Sequence, residues 1–210
     1  MNEDNALDNS KFTIGVLASG RGTNLEAIIN AIETGVLTAR IGVVISDKKD
    51  AKALARAREH HLPALFVDPK GYPDREAYDA AVALHLTEHQ TQLVICAGFM
   101  RLVTSPILER FQNRIINIHP SLLPAFPGLH AQRQALSYGA KVSGCTVHFV
   151  DAAVDHGPII SQVSVPILEG DTEESLTNRI LIEEHRILPR VIQLYVEGKL
   201  SLEGRKVLLG

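Results

Sequence analysis

Cysteine is scarce in this chain: Cys96 and Cys145 are the only two among 210 residues, far apart and each within an apolar run. That usage excludes a disulfide framework and a clustered thiolate metal site, and it suits a reducing cytoplasm. Long hydrophobic runs are missing too, since no apolar stretch reaches the roughly 18 residues that a membrane-spanning helix needs. A basic excess is also lacking. Lys and Arg together number 21 against 24 Asp and Glu, giving a formal net charge of −3 with no local basic patch. The chain as a whole therefore does not attract polyanions, and neither nucleic acid nor a membrane is an expected partner. Residues 1–11 are polar and partly acidic, unlike a secretory signal peptide, and are expected to form a disordered extension.

The composition that remains, 45% hydrophobic and 21% charged, is that of a globular protein able to bury a core, and residues 12–210 read as one domain. Strand-length apolar runs alternate with helical patterns. Residues 12–18 read as a strand, and Leu25, Ile28, Ile29 and Ile32 then recur at helical spacing. Thr23 and Glu26 have the spacing of a capping box, and Gly35 sits where a helix C-terminal cap belongs. Further strands are expected at 41–46, 64–67, 93–97 and 115–118, with helices at 51–60, 74–90 and 106–111 between them. Such alternation requires crossover connections, and continuous apolar strands imply burial on both faces. The fold class is therefore α/β, a mostly parallel Rossmann-like sheet flanked by helices. Beyond Pro120 the rhythm changes to a proline-rich loop, a helix over 130–138, and two strands over 143–150 and 159–165 that are expected to be partly antiparallel. A long closing helix over 172–196 should be kinked or divided by Pro189.

Two stretches carry chemistry. Ser19-Gly20-Arg21-Gly22-Thr23-Asn24 follows a strand and opens a helix, so its backbone N–H groups and the positive end of the helix dipole favour an anion. A dinucleotide fingerprint would need a third glycine where Leu25 stands, and no Gly-Lys-Ser/Thr follows, which leaves a loop suited to a phosphomonoester. The plainer alternative is a tight turn whose glycines satisfy sterics alone. In Asn117-Ile118-His119, alternation along a strand puts Asn117 and His119 on one side. An imidazole can pass a proton near neutrality, and an uncharged amide can donate to an oxyanion, so the pair suits a tetrahedral transition state. Asp155, just before the Gly157-Pro158 turn, is placed to orient and charge His119. The prolines at 120, 124 and 127 make the intervening segment a rigid wall. His85 and His89 lie one helical turn apart without a third ligand nearby, so no metal is expected.

In order along the chain, Ser19-Gly-Arg-Gly-Thr-Asn24, Cys96-Ala-Gly-Phe-Met-Arg101, Asn117-Ile-His-Pro-Ser-Leu-Leu-Pro124 and Val147-His-Phe-Val150 with Asp155-His-Gly-Pro158 together resemble the phosphoribosylglycinamide formyltransferases, a folate-dependent formyltransferase family. The resemblance runs from about Lys11 to the end. It implies transfer of a formyl group from 10-formyltetrahydrofolate, as co-substrate, to the amine of glycinamide ribonucleotide in purine biosynthesis, with small-molecule substrates, a cytoplasmic location and a monomeric or homodimeric state. It further implies that Asn117, His119 and Asp155 are catalytic, and that Gly22, Thr23, Asn24 and Glu184 bind the phosphorylated acceptor. Arg75, Met100, Arg101, Leu102 and Val103, with Asn117, would line the folate site; from the sequence alone Arg75 reads as a solvated helix residue and Leu102 as core. Two features depart from the family pattern: the N-terminal extension, and His156 directly after the aspartate, expected as a solvent-facing turn residue. Formyltetrahydrofolate hydrolases and methionyl-tRNA formyltransferases share the Asn, His and Asp but carry extra domains for which 210 residues leave no room.

Overall fold

Strand β1 (Phe12–Leu17) begins the part of the chain that the structure, a computed structural model, describes: residues 12–210, so the expected extension at 1–11 lies outside the described residues. Helix α1 (Thr23–Glu33), β2 (Ala39–Ser46), α2 (Lys52–Glu59), β3 (Ala64–Phe66), α3 (Arg75–Glu88), β4 (Leu93–Cys96), α4 (Ser105–Arg110) and β5 (Ile115–His119) follow in alternation. The second half supplies α5 (Ala131–Tyr138), β6 (Val142–Phe149), β7 (Ile159–Pro166) and α6 (Glu173–Val196), and ends in strands β8 (Leu200–Glu203) and β9 (Lys206–Leu209).

Seven strands form one sheet in the order β3-β2-β1-β4-β5-β6-β7, parallel from β1 to β5 and antiparallel at β6 and β7. This is the mostly parallel α/β architecture that the alternation implies. Successive residues of a central strand serve opposite faces. Val16 and Val44 pack with Leu25, Ile28, Leu54, Leu176 and Leu188 from α1, α2 and α6, whereas Leu17, Val43 and Ile45 pack with Tyr78, Val82, Leu86 and Ile107 from α3 and α4. Each such fully buried side chain contributes about 1.5–3 kcal/mol, which explains why these strands lack a polar face.

The order of strands reverses at β1, with β2 on one side and β4 on the other, so the loops leaving β1 and β4 diverge over a crevice at the strands' C-terminal ends. The two loops are stitched together there: the Ser19 N–H donates to the Gly98 carbonyl at 3.0 Å, and the Met100 N–H donates to Ser19 Oγ at 2.9 Å.

Two local expectations are corrected, and two features appear that the sequence did not announce. Helix α1 is entered through Gly22 in the left-handed region (φ +71°) without any side-chain cap, so Thr23 and Glu26 form no capping box. Glu26 instead accepts from Arg56 Nη1 at 2.8 Å. A capping box does open α6, where Thr172 Oγ1 accepts from the Ser175 N–H and Ser175 Oγ from the Thr172 N–H. Pro189 does not divide α6, which runs unbroken for 24 residues. Ile187, Leu188, Val191 and Ile192 are buried on either side of it, and that packing offsets the roughly 3 kcal/mol that an interior proline costs a helix. The C-terminal β8–β9 hairpin has no counterpart in the sequence reading.

Candidate active site

Two cavities open at the crevice, one of about 310 Å³ over the glycine loop and one of about 580 Å³ over the end of β5. The smaller is lined by Ser19 to Asn24 and by Thr177, Leu181 and Glu184 of α6. Gly22 is required by geometry twice over, since its φ is left-handed and a Cβ would stand 2.6 Å from Ala53 Cα. The N–H groups of the first turn of α1 are thereby presented at the cavity. The loop is braced from outside by Arg56, whose Nε donates to the Arg21 carbonyl at 3.1 Å.

Asn24 and Glu184 meet across 160 residues of sequence: Asn24 Nδ2 donates to Glu184 Oε2 at 2.7 Å, and both side chains are buried. Asn24 Oδ1 is buried with no partner. Burial pushes the Glu184 carboxyl above the usual range, with the Asn24 donor and the charge of Arg21 opposing the shift. The expected acceptor residues Gly22, Thr23, Asn24 and Glu184 are thus gathered in one lining.

Asn117, His119 and Asp155 are brought together at the larger cavity. Asp155 Oδ2 lies 3.2 Å from His119 Nδ1 and accepts the Gly128 N–H at 2.8 Å, while Asn117 Nδ2 donates to Asp155 Oδ1 over 3.4 Å. The second nitrogen of His119, Nε2, is 2.8 Å from the Phe126 carbonyl oxygen, an acceptor, and therefore carries a hydrogen. Asp155 itself adopts a left-handed backbone (φ +48°). Its loop closes through Gly157, where a Cβ would overlap the Phe149 carbonyl oxygen.

Electrostatics in this group are set by burial first. Burial lowers the pKa of His119 below its ordinary 6.5, and the attraction of Asp155 and the Phe126 carbonyl do not restore it. Asp155 thus favours the imidazolium while burial opposes it. Burial raises the Asp155 carboxyl, but the neighbouring His148 ring, the Gly128 N–H and the charge of His119 outweigh it and leave the group below the usual carboxylate range.

His148 is the member that the sequence reading did not assign. It stands opposite Asn117 in the antiparallel β5–β6 pair, is buried, and its Nε2 lies 3.1 Å from Asn117 Nδ2 and 3.7 Å from Asp155 Oδ1. Its Nδ1 faces the Phe149 carbonyl oxygen at 2.8 Å. The nearest signal in the sequence was the Val147-His-Phe-Val150 run, whose alternation places His148 with Asn117 only once the strand register is known.

The proline-rich wall is held by Thr146, whose hydroxyl donates to the Ser121 carbonyl at 2.7 Å and accepts from the Leu123 N–H at 3.0 Å and from Gln162 Nε2 at 2.9 Å. Across the cavity stand Met100, Arg101, Leu102 and Val103, of which Met100 and Leu102 are exposed. Arg101 lies over the buried Tyr78 ring, its Cζ 4.7 Å from the centroid. Below them Asp79 Oδ2 accepts from both the N–H and the hydroxyl of Thr104, at 2.6 and 2.7 Å, tying the loop to α3. Arg75 is exposed in the first turn of α3 and lines neither cavity. His156 is exposed, with Nδ1 at 3.0 Å from Asp151 Oδ2.

Among the described residues no cluster of three or more His, Cys, Asp or Glu is arranged for a metal ion, and no helix is long and apolar enough to cross a membrane. Both cysteines are buried and free.

Comparison with known proteins agrees with this geometry. Residues 12–192 match the family described as formyl transferase. The chain is 45% identical over 92% of its length to the trifunctional purine biosynthetic protein adenosine-3 of Drosophila pseudoobscura pseudoobscura, and it spans 14% of the length of that protein. It is 40% identical to the phosphoribosylglycinamide formyltransferase of Escherichia coli (strain K12), with 91% of this chain and 90% of the other aligned. Its fold superimposes on the crystal structure of glycinamide ribonucleotide transformylase 1 from Symbiobacterium toebii with a TM-score of 0.94, at 56% identity over 99% of this chain and 98% of that one.

Proposed function

Because the chain belongs to the formyl transferase family, we propose that it transfers the formyl group of 10-formyltetrahydrofolate to the amine of N1-(5-phospho-D-ribosyl)glycinamide, a step of de novo purine biosynthesis, in the cytoplasm. The observation that carries this reading is the junction of the two cavities: the anion loop at Gly22 and the Asn117, His119 and Asp155 group open into adjoining spaces that share lining residues. A phosphorylated acceptor anchored in one can present its far end to a donor held in the other. Residues 12–210 act as one domain in this scheme.

The N–H groups at the start of α1 and the dipole behind them hold the acceptor phosphate, and Glu184, fixed by Asn24, takes the ribose hydroxyls. Met100 to Val103 and the loop ending at Asp155 hold the folate, and their apolar exposed side chains remove the reacting atoms from water.

The amine lone pair then forms a C–N bond to the formyl carbon, and the carbonyl electrons move to oxygen. Asn117 donates to that oxyanion. On collapse the bond to the folate nitrogen breaks, and overall one proton passes from the amine to that nitrogen. His119 assists this proton transfer, and Asp155, 3.2 Å from Nδ1, stabilises the charged ring. His148 fixes the amide of Asn117 from the neighbouring strand.

The test is to follow release of tetrahydrofolate from the formyl donor with and without glycinamide ribonucleotide. Release that requires the acceptor supports the transferase; release without it indicates a hydrolase.

A further inference from the structure

Five residues line both cavities: Gly98, Met100, Ile118, Pro120 and Gln132. Gln132 alone among them has a hydrogen-bonding side chain, and it stands at the second position of α5, half-buried. Every neighbour of Gln132 is committed to the framework. Ala131 is fully buried, Arg133 Nε donates to Glu173 Oε2 at 2.9 Å, and Gln134 Nε2 donates to the Pro127 and Leu129 carbonyls at 3.1 and 2.9 Å. The amide of Gln132 makes no hydrogen bond to any described residue.

An amide with both a donor and an acceptor unspent, at the place where two bound molecules must touch, is stripped of water when both arrive. Left unpaired it would weaken binding, so a ligand that offers this amide a partner at the junction is favoured. The acceptor's chain crosses this junction on its way from the anion loop to His119. It carries a secondary amide separated from the reacting amine by one methylene.

We propose that Gln132 is a positioning residue that holds the amide of the acceptor, Nε2 donating to its carbonyl oxygen, and so aims the amine at the formyl carbon. This rests on the glycinamide reading of the site. It deepens that reading by assigning a specificity contact that distinguishes an amide-bearing acceptor from other phosphoribosyl compounds.

The test is steady-state kinetics of the full chain with Gln132→Leu, which keeps the bulk and removes the hydrogen bonds, and with Gln132→Asn. The expected result for Gln132→Leu is a rise of about tenfold in KM for glycinamide ribonucleotide, the donor KM unchanged and the melting temperature unchanged, with part of the loss recovered in Gln132→Asn. An unchanged acceptor KM in Gln132→Leu, or a rise confined to the donor KM, overturns the assignment of Gln132 while leaving the transferase reading intact. Absence of acceptor-dependent release by the unmodified chain overturns the transferase reading, and this contact with it.

Discussion

Asp155 and His119, 36 positions apart in the chain, face each other across 3.2 Å, and the same carboxylate oxygen also receives the Gly128 N–H at 2.8 Å. The carboxylate is thus held by a backbone N–H as well as by the imidazole.

Replacement of Asn117 or His119 by alanine is expected to lower kcat by about a hundredfold to a thousandfold, because in the proposed mechanism each acts on the transition state. Single-turnover and steady-state assays should show acceptor and donor KM values changing far less. Near-normal kcat in either variant refutes the role given to that side chain.

Titration should show itself on the acid side. His119 has a folded pKa below its ordinary 6.5, so the folded state resists protonation more than the unfolded chain does. Its contribution to stability is full above 6.5 and is lost as pH falls from there through the folded value. Asp155, with a depressed carboxyl, contributes above its ordinary 3.8 and loses that as pH falls through its lower folded value. The acid limb of kcat/KM should accordingly have its midpoint below 6.5, and Asp155→Asn, which removes the charge that raises His119, should move it lower still. A midpoint above 6.5 in the unmodified chain contradicts the assignment.

Gly22→Ala places a Cβ on a left-handed residue and against Ala53. A loss of about 1–3 kcal/mol of stability is expected, together with weaker acceptor binding, because the first-turn N–H groups are re-aimed. Denaturant unfolding reads the first effect and acceptor KM the second. Gly20→Ala is the control, since a Cβ there meets nothing within 4 Å and its φ is ordinary.

Asp79→Ala should raise the donor KM by about tenfold while sparing the acceptor KM, since it frees Thr104 and with it the loop carrying Met100 to Val103. Equal changes in both constants would mean that the loop is held by other means.

Much of the site was legible before any coordinates. Alternation in Asn117-Ile118-His119 fixed the shared side of β5, and the glycine loop after β1 marked residues that line a cavity. What escaped depends on register and long-range packing. His148 joins the group only because β6 runs antiparallel and sets residue 148 opposite residue 117. Thr23 and Glu26 have capping-box spacing, yet Gly22 takes the cap position and Arg56, distant in sequence, claims the Glu26 carboxylate. Pro189 was read by its intrinsic cost, which the burial of its neighbours on α6 overrides. Glu184 and the loop of Met100 to Val103 were reachable only by family resemblance, since a glutamate within a long helix carries no local mark of its buried partner.

The bond from His119 Nε2 to the Phe126 carbonyl has a consequence for the order of events. With that nitrogen bonded to the loop and Nδ1 3.2 Å from Asp155 Oδ2, both edges of the ring are already engaged. A proton relayed in the proposed transfer would have to displace one of these two contacts, so the imidazole could serve its clients only while the loop or the carboxylate gives way.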